Sequence, residues 1–134
     1  KKINDSNMPG IAQTVYDAFK LGRAAIVAGN YEVRDAQANI IKIHLSKVIG
    51  YKSVDYLNGY MSKMAAGNTA DAFHALSEGY GFVMSLQFTN DGTENPYFTK
   101  AEVDAMLAQM DNFWTVKDSD LTSMVSQIQS ALNI

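Results

Sequence analysis

No proline interrupts residues 10–95, because the chain has only two, Pro9 and Pro96. A proline inside a helix removes a hydrogen bond and clashes with the preceding turn, at a cost of about 3 kcal/mol. The long proline-free stretch therefore leaves room for long helices. Within it the apolar residues recur with a period near 3.6, and no alternation of period 2 is sustained. The pattern predicts an all-α fold. Pro9 suits the first turn of a helix, with Asn7 as its cap. That helix is expected to run to about Ala28, burying Val15, Phe19, Leu21 and Ile26, and to stop at Gly29-Asn30.

A second helix is expected from Tyr31 or Glu32. Val33, Ala36, Ile40 and Ile43 form its apolar face, with Ile41, His44 and Val48 one row over. The pattern weakens at Gly50, which predicts a kink or break. A further helical segment follows from about Ser53 to Ala66, carrying Val54, Leu57, Tyr60, Met61 and Met64, and Gly67-Asn68 ends it. Thr69 is the expected cap of the next helix, which runs through Phe73, Leu76, Tyr80, Val83, Met84 and Phe88. After a polar loop from Thr89 to Phe98, Thr99 with Glu102 three residues on reads as a capping box. A last helix from Asp118 or Ser119 shows the stripe Leu121, Met124, Val125, Ile128 and Leu132. Trp114 is expected to anchor the turn before it.

Four to six helices with short Gly-Asn connections favour antiparallel neighbours, so the predicted architecture is an antiparallel helical bundle. At 134 residues, 47% hydrophobic and 19% charged, the chain suits one globular domain spanning 1–134. Eleven basic against fourteen acidic residues give a net charge of −3 with no basic run, so nucleic acid is not an expected partner. The absence of cysteine excludes disulfides, thiolate zinc sites and a cysteine nucleophile. No stretch approaches the ~20 apolar residues of a membrane span. The chain begins Lys1-Lys2-Ile3, without an initiator Met or a signal peptide, and is expected to be a fragment or processed part of a larger protein.

The helix with the most chemistry is the one holding Ala72-Phe73-His74-Ala75-Leu76-Ser77-Glu78-Gly79-Tyr80-Gly81-Phe82. His74 and Glu78 are four apart and share a face, a row that Gly81 and Ser85 continue. Two mid-helix glycines cost about 1 kcal/mol each relative to alanine. Close approach of another helix, or of a ligand, would offset that. A His and a Glu at this spacing can give a divalent metal ion two ligands, and the Glu can instead orient the imidazole. A plain surface hydrogen bond is the competing interpretation. A metal centre needs further donors, and the other histidine, His44, would complete it if the second and third helices pack side by side. The apolar neighbours Ile41 and Val48 also suit His44 to a core position. Asp55 and Asp71 are weaker candidates.

Asp91, Thr93, Asn95, Tyr97, Thr99 and Glu102 fall at calcium-loop spacing. The sixth position is Pro96, where such a loop needs glycine, so the residues argue against calcium. No Gly-rich phosphate loop, nucleophile elbow or HExxH pattern occurs.

Phe19-Lys20-Leu21-Gly22-Arg23-Ala24-Ala25-Ile26, Tyr56-Leu57-Asn58, and His74 to Phe82 followed by Leu86-Gln87-Phe88 resemble the C-terminal half of an uncharacterised family of bacterial envelope proteins, often lipoproteins. That family is distantly similar to the imelysin-like proteins. The resemblance covers about residues 10 to 115 and is most specific on the His74 helix. It implies a helical bundle, export to the periplasm or outer membrane, and a lipid anchor upstream. Imelysin-like proteins carry a His-x-x-Glu motif and have been classed as metallopeptidases and linked to iron uptake. Here the spacing is His74-x-x-x-Glu78, which aims the carboxylate differently.

Three functions are therefore expected in order. The first is a non-catalytic envelope-associated domain binding a ligand, metal ion or partner near His74 and Glu78. The second is a metal-dependent hydrolase with Glu78 as general base and His74 as ligand or orienter. The third is a structural or self-assembly module with an exposed apolar face.

Overall fold

The computed structural model describes residues 8–134. It contains five α-helices: α1 (Ile11–Val27), α2 (Tyr31–Ala65), α3 (Thr69–Ser85), α4 (Lys100–Ala108) and α5 (Asp118–Leu132). A 3-10 turn, Leu86–Phe88, extends α3. Among the described residues the only sheet-like pairing is a single bridge between Asn90 and Pro96. The fold is the all-α bundle that the periodicity predicts.

The same two-residue device links α1 to α2 and α2 to α3. Gly29 and Gly67 take left-handed backbone, φ 69° and 75°. Each lets the next amide reach back, Asn30 to the Ala25 carbonyl and Asn68 to that of Lys63, both at 2.9 Å. The asparagine then caps the following helix: Asn30 Oδ1 accepts from the Val33 amide and Asn68 Oδ1 from that of Asp71. Asn68 thus does what the sequence assigns to Thr69, which is the first residue of α3. At the other end, α1 starts after Gly10, which has φ 82° and no side-chain cap. The cap expected at Asn7 lies outside the described residues.

The second helix does not break at Gly50. It runs unbroken for 35 residues, about 52 Å at 1.5 Å per residue. The glycine serves an approach instead of a bend. A Cβ built there would lie 2.3 Å from Leu132 Cδ1 and 3.0 Å from Ile134 Cδ1. The end of α5 therefore rests directly on the α2 backbone.

The helices α1, α3 and α5 all pack on α2, while α4 packs on α3 and the 3-10 turn. One core joins Leu57, Leu76, Val83, Val103, Met110 and Leu121 with the whole predicted stripe of α5. The stripe of α1 is different from the one expected. Its buried residues are Ile11, Val15, Ala18 and Ala25, and Gly22 lies 3.4 Å from Gln37 Cβ when given a Cβ. Phe19, Leu21 and Ile26 stay exposed. Small residues let α1 lie close on α2, which turns the large ones outward. Only Met8, Ile11 and Val15, with Ile41, Val48 and Tyr51 of α2, form an apolar cluster there.

The loop from Thr89 to Phe98 is pinned to the same spine. The Asn90 amide donates to the Ser46 hydroxyl at 3.0 Å. Gly92 has φ 93°, and a Cβ there would meet Ile43 Cδ1 at 2.9 Å. The predicted capping box of α4 is present, with Thr99 and Glu102 bonded reciprocally.

Candidate functional site

On α3 the buried side is Ala72, Ala75, Leu76, Gly79 and Val83. The glycine in this set sits in a helix contact, since a Cβ at Gly79 would lie 3.3 Å from Tyr56 Cβ and 3.5 Å from Leu57 Cδ2. This accounts for one of the two mid-helix glycines. Met84, expected in the apolar row, is 45% exposed.

Gly81 is the other case. Nothing lies within 4 Å of a Cβ built on it. It borders a depression of about 300 Å³ lined also by Ser77, Glu78, Phe82 and Ser85. One wall is the Phe82 ring, stacked on Tyr56 with 5.4 Å between centroids and 16° between planes. Ser77 Oγ donates to the His74 carbonyl and Ser85 Oγ to that of Gly81, each at 2.8 Å. Neither hydroxyl is set against a base as an activated nucleophile would be. What the depression offers is one carboxylate, two hydroxyl oxygens able to accept, and an aromatic face. That suits a ligand with a donor or a positive charge beside an apolar part.

His74 and Glu78 share a helix face as predicted, yet their settings differ. Glu78 is half-buried in the lining, while His74 is exposed and outside it. His44 does not join them. Gly59 of α2 is level with Ala75 of α3, since a Cβ built on it would lie 4.0 Å from Ala75 Cβ. The fifteen residues from His44 to Gly59 put His44 about 22 Å away along the unbroken helix. It lies one turn from Ile41 and Val48, the partners of α1, and its Nδ1 is buried without a hydrogen-bond partner among the described residues. Asp71 is tied to the Asn68 amide group at 2.7 Å and Asp55 to Lys52 Nζ at 2.7 Å. Among the described residues no three His, Cys, Asp or Glu side chains come together as a metal centre would require.

At the calcium-like spacing the side chains serve each other. Asp91 Oδ1 accepts from the Thr93 amide and hydroxyl, and Asn95 Nδ2 donates to Asp91 Oδ2. The Thr93 hydroxyl, first, and then its amide hold the Asp91 carboxyl below the ordinary range. Glu102 is likewise lowered by the Thr99 backbone and hydroxyl.

Sequence reasoning missed Lys52. It is a buried cation, its side chain only 10% exposed, in an ion pair with Asp55 one turn before Tyr56. The (i, i+3) spacing of Lys52 and Asp55 was the available signal. Trp114 does anchor its turn, edge-on to Phe73 at 4.6 Å, but stays 79% exposed. Phe113 is the half-buried ring of that turn, and Tyr60 donates to its carbonyl.

These features define an all-α bundle with a shallow polar-aromatic depression on α3. A family model described as "Domain of unknown function (DUF4856)" matches residues 1–134, and the chain belongs to that family. No curated protein and no solved structure matches the chain. Among the described residues no helix is long and apolar enough to cross a membrane.

Proposed function

We propose that this chain is a non-catalytic, envelope-associated binding domain whose ligand or partner seats in the depression beside Glu78. The observation that carries the proposal is Gly81. A mid-helix glycine costs about 1 kcal/mol relative to alanine, and here no neighbouring atom needs the space. A guest lying against the helix backbone would. The carboxylate of Glu78 and the Phe82 face supply the orientation and the contact area that small-ligand sites use.

An NMR screen of the 15N-labelled chain against small cationic and aromatic fragments tests it. Shift changes should cluster at Ser77, Glu78, Gly81 and Ser85, and vanish in Gly81→Phe, which fills the depression. Changes scattered over the surface, or unaltered by Gly81→Phe, would sink the proposal.

Envelope location and kinship to imelysin-like proteins belong to the same proposal and rest on the resemblance of the His74 helix. Cell fractionation tests the first. The hydrolase interpretation draws on an open surface beside Glu78 but is left with two donors on one helix. Calorimetric titration of wild type and His74→Ala with iron, zinc and copper tests the metal. Equal weak binding by both ends it.

A further inference from the structure

A second concave surface lies along α2 and adjoins the first depression at Ser85, which lines both. Arg34, Ala38, Ile41, Leu45 and Val48 follow the spacing i, i+4, i+7, i+11, i+14, so they form one face of that helix. Two hollows lie along this face. One, of about 210 Å³, has Phe19 and Ile26 of α1 as its outer wall. The other, of about 480 Å³, is closed by Phe88 beyond the end of α3. Together they make a trough about 22 Å long at 1.5 Å per residue, or four helical turns. Its walls are apolar and open: Phe19 is 59%, Leu45 44% and Phe88 76% exposed.

Every charged residue lining the two hollows, and a third beside Tyr16, is basic: Lys20, Arg23, Arg34 and Lys42. Arg34 is shared with Asp35 at 2.6 Å. Among the described residues Lys20, Arg23 and Lys42 make no ion pair. An apolar trough of helical length with uncompensated positive charge along its rim selects a particular guest. From this geometry we infer that the trough docks an amphipathic α-helix of a partner protein, with an apolar stripe toward Ile41 and Leu45 and acidic residues toward Arg23 and Lys42. Among the described residues of a second copy, neither α4 nor α5 supplies such a helix. These acidic helices bury their apolar stripes, Val103 and Met106 in one and Leu121 to Leu132 in the other, in their own core.

The probe is a fluorescein-labelled 18-residue Leu/Glu amphipathic peptide, followed by anisotropy at low and high salt. The full chain should bind it saturably, and salt should weaken binding. Arg23→Glu with Lys42→Glu should reduce affinity about tenfold. Both are surface positions, so circular dichroism should confirm an unchanged fold. The inference is overturned by absent binding, or by equal binding of the Leu/Lys version or of a scrambled Leu/Glu peptide. It also fails if Phe19→Asp abolishes a wild-type dimer seen by light scattering, or abolishes binding to phosphatidylglycerol vesicles. Those results would give the trough to a second copy or to lipid.

Discussion

Replacing Gly50 by alanine sets two effects of opposite sign against each other. Alanine in a helix interior gains about 1 kcal/mol over glycine. Against that, the new Cβ lands 2.3 Å from Leu132 Cδ1, with Ile134 Cδ1 at 3.0 Å. Carbon atoms rest at about 3.5–4.0 Å, so the overlap exceeds 1 Å. Leu132 is 1% exposed and cannot swing away without displacing its neighbours. Overpacking of this kind costs about 1–3 kcal/mol, and the depth of the clash puts it toward the upper end. The net expectation is a loss of about 1–2 kcal/mol, or roughly 0.5–1 M in the urea midpoint at an unchanged slope. Gly81→Ala is the internal control. It has the same propensity gain with nothing to strike, and should stabilise by up to about 1 kcal/mol. Gly79→Ala, against Tyr56 Cβ at 3.3 Å, should fall between the two. Urea unfolding followed by circular dichroism measures all three. If Gly50→Ala stabilises the chain, or Gly81→Ala destabilises it, the assignment of these glycines to contact and open groove is wrong.

Three further outcomes follow from local chemistry. Thr99→Ala removes the hydroxyl that accepts from the Glu102 amide and should cost about 1 kcal/mol in thermal or urea unfolding. Glu102 is held below its ordinary range in the folded state, so its contribution is present above the unfolded pKa and is lost as pH falls through the folded one. Glu102→Gln should therefore flatten the acid limb of the stability–pH curve, and an unchanged limb would refute the capping role. Gly92→Ala combines a φ of 93° with a 2.9 Å approach to Ile43. It should loosen the loop, read as faster amide exchange at Asn90, whose N–H is held by Ser46.

Local signals carried far in this chain, and tertiary ones did not. The α5 stripe and the Thr99–Glu102 box were legible because each depends on residues within a few turns of one another. Gly50 was not, because its partner Leu132 lies 82 positions on, and a glycine in a helical pattern reads the same whether it bends the helix or admits a neighbour. The α1 residues Phe19, Leu21 and Ile26 have the right period for a core, but periodicity does not say which side of a helix finds a partner. The shared face of His74 and Glu78 followed from their spacing. The distance of His44 did not, since it depends on α2 being unbroken. Gly79 and Gly81 look alike in sequence, and only the path of α2 separates the one in contact from the one that is open.

The seam of small residues between α1 and α2 has a kinetic consequence. From Ala18 outward it offers alanine and glycine where the central core offers leucine and methionine. Few side chains interlock there, so little must be unpicked for α1 to separate. The helices α2 to α5 share their own core and lose none of it when α1 leaves. Opening of α1 should thus be an event of its own, with a free energy below that of global unfolding. The molecule should then show two stabilities, with the surface that α1 walls depending on the smaller one.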